Sequence, residues 1–152
     1  MIDITVALAV HVLSVVWWIG GLAFVAAVFL PSMRAGQQGD ALTAFRAIEH
    51  RFEPQARIAV VLAGLSGLYM LWRLDAWSLF AEARYWWLDL MALYWVLFML
   101  MLFVLSPSGL LKRIMNGTVD EQHTWKRMHN IHRVLLVVGL VIIVGGVAGR
   151  FF

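Results

Sequence analysis

Four uncharged, strongly apolar runs constrain this chain more than any other feature of its sequence. They cover residues 4–33, 58–72, 90–111 and 134–149. Within the first run, only His11 is polar enough to interrupt the apolar sequence. A helix of ~20 apolar residues crosses the hydrocarbon layer of a bilayer. The second and fourth runs are shorter, so their helices are expected to extend past the flanking arginines, whose long side chains reach the membrane surface. The pattern predicts four membrane-spanning helices.

Composition supports the same class. Of the 152 residues, 62% are hydrophobic and 14% are charged, whereas a soluble domain carries about a quarter charged residues. The apolar excess is too large for one core at this chain length. An ordinary soluble protein is therefore excluded. The net charge of +3 is interpreted as membrane topology and not as a nucleic-acid-binding surface.

The basic residues are distributed unevenly among the connections between the runs. Nine lie in the first and third connections, and three lie in the second connection and the C-terminal tail. Cytoplasmic loops carry an excess of lysine and arginine. We therefore expect a multi-pass protein of the inner (cytoplasmic) membrane with both termini on the outer, periplasmic side.

The expected fold is all-α, an integral membrane four-helix up-down bundle that forms one domain over residues 1–152. Asp40 is a candidate helix cap, and Thr118 with Glu121 has the spacing of a capping box. Pro54 is expected to kink the second helix. The predicted helices cover about 3–32, 41–74, 85–111 and 119–150.

Glycines recur in three of the four predicted spans, and Gly145 with Gly149 forms a GxxxG step. Such positions let helices approach closely. Two interpretations follow: plain helix packing, or space for a flat cofactor.

His11 lies ~10–13 Å below the outer surface by helical rise. An ionisable side chain at that depth usually faces a partner inside the bundle. One interpretation is a histidine that is hydrogen-bonded to a backbone carbonyl or a tyrosine. The other is a haem or metal ligand, since neutral imidazole is the commonest metal ligand.

A second polar group is expected at the cytoplasmic ends of the second and fourth helices. His50 and Glu53 precede Arg57, and His129 and His132 precede Arg133. These histidines are candidate ligands of a cofactor or metal, and the group can equally be a solvated helix extension. Candidate partners for haem propionates are Arg51, Arg57 and Arg133.

Met91 is expected near the depth of His11, because the third helix descends from the outside. Its thioether suits Cu(I), and Met with His is also a haem axial pair; packing is the alternative. The chain has no cysteine, so it lacks the C-x-x-C-H motif of covalently attached haem. Any haem is therefore b-type.

The segment from His11 to Phe24, with Trp17-Trp18-Ile19-Gly20-Gly21 at its centre, resembles the first helix of CopD-type copper-resistance membrane proteins and of related HemJ-type proteins. Glu49-His50-Arg51-Phe52 and Ser66-Gly67 are similar to the next loop and helix of these families. The resemblance implies a four-helix bundle in which histidines bind b-type haem or copper. Met91 stands where HemJ-type proteins carry a lysine, so protoporphyrinogen oxidation is not implied.

The leading expectation is a membrane protein that binds haem b through histidine axial ligands and has a redox or electron-transfer role. Its expected partners are the lipid bilayer and a quinone or a redox partner protein. A copper-binding or copper-transporting protein of CopD type and a cofactor-free assembly subunit are the alternatives. Enzymatic activity and homo-oligomerisation stay open.

Overall fold

The computed structural model describes residues 1–35, 38–107 and 121–149, with no strand among them. Five α-helices are found in these ranges: α1 (Ile2–Phe24), α2 (Leu30–Ala35), α3 (Gln38–Arg73), α4 (Trp86–Leu100) and α5 (Glu121–Ala148). A π-helical turn, Val25–Phe29, joins α1 to α2, and a second, Met101–Leu105, continues α4.

Within the described residues, four helical segments are long and apolar enough to cross a membrane: Ile2–Ser32, His50–Arg73, Ala83–Leu105 and Lys126–Ala148. Each overlaps one of the four predicted helices. At their N-terminal ends the helices of the two short runs extend past the arginines as expected, because the second segment includes Arg57 and the fourth includes Arg133. At their C-terminal ends the second segment stops at Arg73 and the fourth at Ala148.

The helix starts differ in part from the expectations. Helix α3 begins at Gln38, so Asp40 lies inside it and not at its N-cap. The structure keeps α3 helical through Pro54, although this residue leaves the carbonyl of His50 without its usual intrahelical donor. Thr118 lies outside the described residues.

The connection between α3 and α4 consists of two short 3-10 helices, Ala76–Ala81 and Ala83–Tyr85. Asp75 ends the preceding helix in the left-handed conformation, with a φ of 50°. Aspartate tolerates this conformation better than most residues do. The two 3-10 helices then lead the chain into α4.

Residue contacts show how neighbouring helices are aligned. His11 of α1 contacts Ala63 of α3, while Gly21, later in α1, meets Phe52, earlier in α3. The same inverse order holds between α3 and α4, between α4 and α5, and between α1 and α5. Each of these pairs therefore makes contacts as antiparallel helices do.

Aromatic side chains fill the region where α1 meets α4. The rings of Trp18 and Phe98 lie 4.7 Å apart edge-to-face, and the rings of Trp18 and Tyr94 lie 5.4 Å apart in a stacked arrangement. Tyr94 donates a hydrogen bond to the carbonyl of Leu135, at 2.9 Å. All three rings are buried, so this aromatic cluster ties α1, α4 and α5 together.

Most of the glycines receive a side chain from a neighbouring helix. A Cβ at Gly64 would overlap the indole of Trp95, and one at Gly21 would overlap Phe52. The same holds in helix α5, where Gly145 contacts the side chains of Trp86 and Trp87. These contacts agree with the interpretation of the glycines as helix-packing positions.

Candidate functional site

His11 is half-buried between α1 and α3. Its Nδ1 lies 2.8 Å from the carbonyl oxygen of Ala63 and 3.2 Å from Oγ of Ser66. The hydroxyl of Ser66 donates to the carbonyl of Leu62, at 2.6 Å. The imidazole is therefore anchored to one turn of α3.

These contacts assign the protons of the ring. A carbonyl oxygen only accepts hydrogen bonds, so Nδ1 of His11 must carry the proton that is shared with Ala63. In a neutral imidazole the other nitrogen, Nε2, then keeps its lone pair. Histidines that bind metals have this arrangement, with one ring nitrogen donating to a backbone carbonyl and the other free to ligate.

Small residues on α3 let the imidazole come this close to its backbone. A Cβ at Gly67 would lie 3.3 Å from Cε1 of His11 and 3.5 Å from Nδ1. Ala63, one turn earlier, is buried. The sequence Ala63-Gly64-Leu65-Ser66-Gly67 thus supplies an acceptor carbonyl, a hydroxyl and the necessary space on one helix.

Met91 packs on a different helix from the one that His11 contacts. Its Cε lies near Gly146 of α5, at 3.8 Å from the position of a Cβ there, and Trp87 covers the same glycine. Met91 also packs against the hydrophobic core to which the aromatic cluster belongs. These contacts agree with helix packing, the alternative interpretation of this residue, and the ligand role of Met91 stays a prediction.

The histidines expected at the cytoplasmic side lie toward the other end of the bundle. Ile48 packs against a cluster that contains Met128, so the start of the second span and the start of the fourth lie together. His50 is exposed and His129 is half-buried. His132 is half-buried, and its Nδ1 lies 2.9 Å from the carbonyl oxygen of Met128, one turn earlier in α5. By the same argument as for His11, Nε2 of His132 keeps its lone pair.

Glu53 turns toward α4. Its carboxylate accepts a hydrogen bond from Arg57, at 2.7 Å, and another from the hydroxyl of Ser106 at the end of α4. The guanidinium of Arg57 also lies 5.6 Å from the centre of the Phe103 ring. Arg57 is therefore engaged in an ion pair, while Arg51 and Arg133 are exposed.

The described side chains include no group of three or more His, Cys, Asp or Glu residues placed to hold a metal ion. His11 and His132 lie at different levels, because Gly139 of α5 meets Ile19 of α1 whereas Met128 clusters with Phe29. By helical rise they are separated by roughly 20 Å along the bundle.

Two acidic side chains, Asp3 and Glu53, accept hydrogen bonds that the sequence did not predict. Oδ2 of Asp3 accepts hydrogen bonds from Tyr69, at 3.1 Å, and from Arg73, at 2.8 Å. Glu53 accepts one from the hydroxyl of Ser106. The i,i+4 spacing of Glu53 and Arg57 could have indicated their pair, whereas the Asp3 and Ser106 contacts need the register between helices, which the sequence does not show.

Neither a family model, nor a curated protein, nor a solved structure matches this chain. The resemblance to CopD-type and HemJ-type proteins therefore stays a prediction.

Proposed function

We propose that this chain is an integral inner-membrane protein, an up-down bundle of four spans, that binds b-type haem through His11 and serves in electron transfer. The observation that carries the proposal is the imidazole of His11. It lies inside a span, its Nδ1 is committed to the carbonyl of Ala63, and its Nε2 keeps a lone pair.

The membrane orientation follows from charge. The end of the bundle near Ile48 and Met128 carries exposed basic side chains, including Arg51, Lys126 and Arg127. The opposite end carries Asp3 together with Arg73. The positive-inside rule places the first of these ends in the cytoplasm and both termini outside.

The donor chemistry of the two anchored histidines fits an axial ligand. A neutral imidazole with its second nitrogen hydrogen-bonded to a carbonyl is held in one tautomer and one orientation, which is what ligation requires. His11 would serve in the outer half and His132 in the inner half, with the exposed Arg133 near His132 for a propionate. Bound haem would supply reversible one-electron chemistry at a potential set by its surroundings.

The placement of Met91 favours haem over copper. A haem iron takes only one or two axial ligands from the protein, whereas a copper ion needs a cluster of soft or imidazole ligands that meet at one point. His11 contacts Gly67 on α3 while Met91 contacts Gly146 on α5. A single imidazole, His11 in one half of the bundle and His132 in the other, is enough to provide an axial ligand for haem.

The chain's other residues would exclude water between the two levels. Trp18 follows His11 by seven positions, ~10 Å by helical rise, and it packs with Tyr94 and Phe98. This cluster separates the half of the bundle with His11 from the half with His132. A dry, aromatic interior lowers the local dielectric constant and shields a redox group from solvent.

Haem reconstitution tests the proposal. The protein is extracted from membranes of cells supplied with haem precursor, and haem and copper are measured on the same sample. We expect a Soret band, haem content that falls in His11→Ala, and no copper above background. His50→Ala is the matched control, because His50 is exposed. A sample that holds copper and no haem would contradict the proposal.

The lack of cysteine makes the orientation testable. Ser78→Cys, in the connection between α3 and α4, and Lys126→Cys, at the start of the fourth span, are labelled in intact cells with a membrane-impermeant maleimide. We expect labelling of the first and protection of the second until the cells are permeabilised. The reverse pattern would overturn the orientation.

The packing supports one further candidate, a cofactor-free assembly subunit. Gly21, Gly64 and Gly145 each receive an aromatic side chain, and the hydrogen bond from His11 to Ala63 already joins two helices. In this case His11→Gln, which can donate to the same carbonyl, would preserve stability, and wild-type protein would bind no haem. Binding of haem by the wild type would eliminate this candidate.

A further inference from the structure

A groove lies between α1 and α3 on the face turned away from the aromatic cluster. Its volume is about 280 Å³, close to the lower limit of small-ligand pockets. The lining residues are Leu13, Ser14, Trp17, Gln55, Ile58, Ala59 and Leu62. Apart from Ser14 and Gln55 the walls are apolar.

The polarity of the groove changes along α3. Leu62 and Ile58, both exposed, form its apolar part, near the turn that holds His11, and Gln55 lies at its other end. Arg51 lies one turn beyond Gln55 on the same face of the helix. A cation, an amide and an apolar trough therefore follow one another over about 16 Å of helix.

Arg51 and Gln55, the two polar residues of this stripe, are both exposed. Arg51 is exposed and forms no ion pair with a described side chain. Glu53, the carboxylate closest to it in sequence among the described side chains, is engaged with Arg57 and Ser106 on the α4 side.

We propose that this groove binds one anionic phospholipid, with an acyl chain along Ile58 and Leu62, an ester carbonyl at the amide of Gln55 and the phosphate at Arg51. The inference rests on the proposed membrane location, since the basic end must face the cytoplasmic leaflet, whose anionic lipids attract arginine. A neutral quinone would fill the apolar trough but would leave the cation unused.

Native mass spectrometry of the delipidated protein in detergent tests the site. The probes are palmitoyl-oleoyl phosphatidylglycerol and the phosphatidylcholine with the same chains. We expect one phosphatidylglycerol to bind in preference to phosphatidylcholine. Arg51→Gln should weaken that binding about fivefold, the effect of one surface arginine. Arg127→Gln, an exposed arginine of α5 at the same end, is the matched control and should change little.

Further measurements distinguish the phospholipid from free phosphate and from a quinone as the occupant of the groove. Gln55→Leu, which keeps the side-chain volume, should weaken binding of both lipids, and inorganic phosphate should not displace the bound lipid. Equal losses in Arg51→Gln and Arg127→Gln, or displacement by phosphate or by ubiquinone at equal concentration, would overturn the lipid site. Protein found in the soluble fraction would contradict the membrane location itself, whereas membrane-extracted protein that binds both lipids equally would overturn only the lipid site.

Discussion

Nδ1 of His11 lies 2.8 Å from the carbonyl oxygen of Ala63, so a side chain of the first span is hydrogen-bonded to the backbone of the second. That carbonyl lies inside helix α3, and the bond from His11 is a tie between α1 and α3. It also fixes which nitrogen of the ring is protonated. A structural role and a ligating role are thus compatible in one residue.

Gly67→Ala tests whether the bond to Ala63 tunes a bound haem. The new methyl group would lie 3.3 Å from Cε1 of His11, so the imidazole must move and its bond to the carbonyl weakens. A weaker bond makes the ligand less basic, which stabilises ferric haem less and raises the midpoint potential. Redox titration of the variant measures this rise. Gly20→Ala, where the Cβ would meet open space, is the control, and equal potentials in both variants would contradict the prediction.

Gly64→Ala tests the packing of α3 against α4. Its Cβ would overlap the indole of Trp95, which also donates a hydrogen bond to the carbonyl of Val60, at 2.9 Å. Overpacking of this kind costs about 1–3 kcal/mol of unfolding free energy. Thermal unfolding in detergent measures the loss. The cost should shrink in the background of Trp95→Val, as a double-mutant cycle requires of residues in contact; the same cost in both backgrounds would show that the two residues do not touch.

Glu53→Gln tests the ion pair inside the second span. The change leaves Arg57 without its anion in a half-buried site, and we expect a loss of about 1–3 kcal/mol, between the values for exposed and buried pairs. Glu53→Gln with Arg57→Gln should recover part of the loss. Unfolding in a mixed detergent series gives these values. Asp3→Asn is the control, because the ion pair of Asp3 with Arg73 is exposed, and a larger effect there than at Glu53 would contradict the assignment.

His132→Ala, His129→Ala and His50→Ala test which histidine binds haem in the half of the bundle that contains Met128. His132 alone among them is anchored through Nδ1 to a described carbonyl, so its loss should lower haem content, whereas the other two variants should retain that of the wild type. Haem per protein, measured as the pyridine haemochrome, checks this. Haem loss in His50→Ala with none in His132→Ala would reverse the assignment.

The sequence predicted the four long apolar helices well. Each is marked by a long run of hydrophobic residues, and such a run is visible in the sequence without knowledge of the fold. The π-helical turns at Val25–Phe29 and Met101–Leu105 had no such signal. A π turn inserts one residue into the hydrogen-bond ladder of a helix. Its position depends on how neighbouring helices pack, and composition does not report that.

The candidate site was predictable only in part. The depth of His11 singled it out, and the sequence offered both a carbonyl partner and a ligand role for it. The partner itself, Ala63, carries no side-chain chemistry and could be found only from the register between α1 and α3. The hydrogen bonds from Ser106 to Glu53 and from Tyr69 to Asp3 likewise depend on the register between helices. Met91 looked equivalent to His11 by depth, but its direction around the helix is set by packing against Gly146.

The absorption spectrum of haem-reconstituted protein tests the central claim most directly. It is recorded oxidised and reduced on the wild type and on His11→Ala, purified from membranes in the same way and matched for folded protein by size-exclusion chromatography. We predict a Soret band and a sharp reduced α band in the wild type, with a clear loss of both in His11→Ala. A wild-type protein without a Soret band after haem supplementation, or a His11→Ala spectrum identical to that of the wild type, would contradict the claim that His11 is a haem ligand.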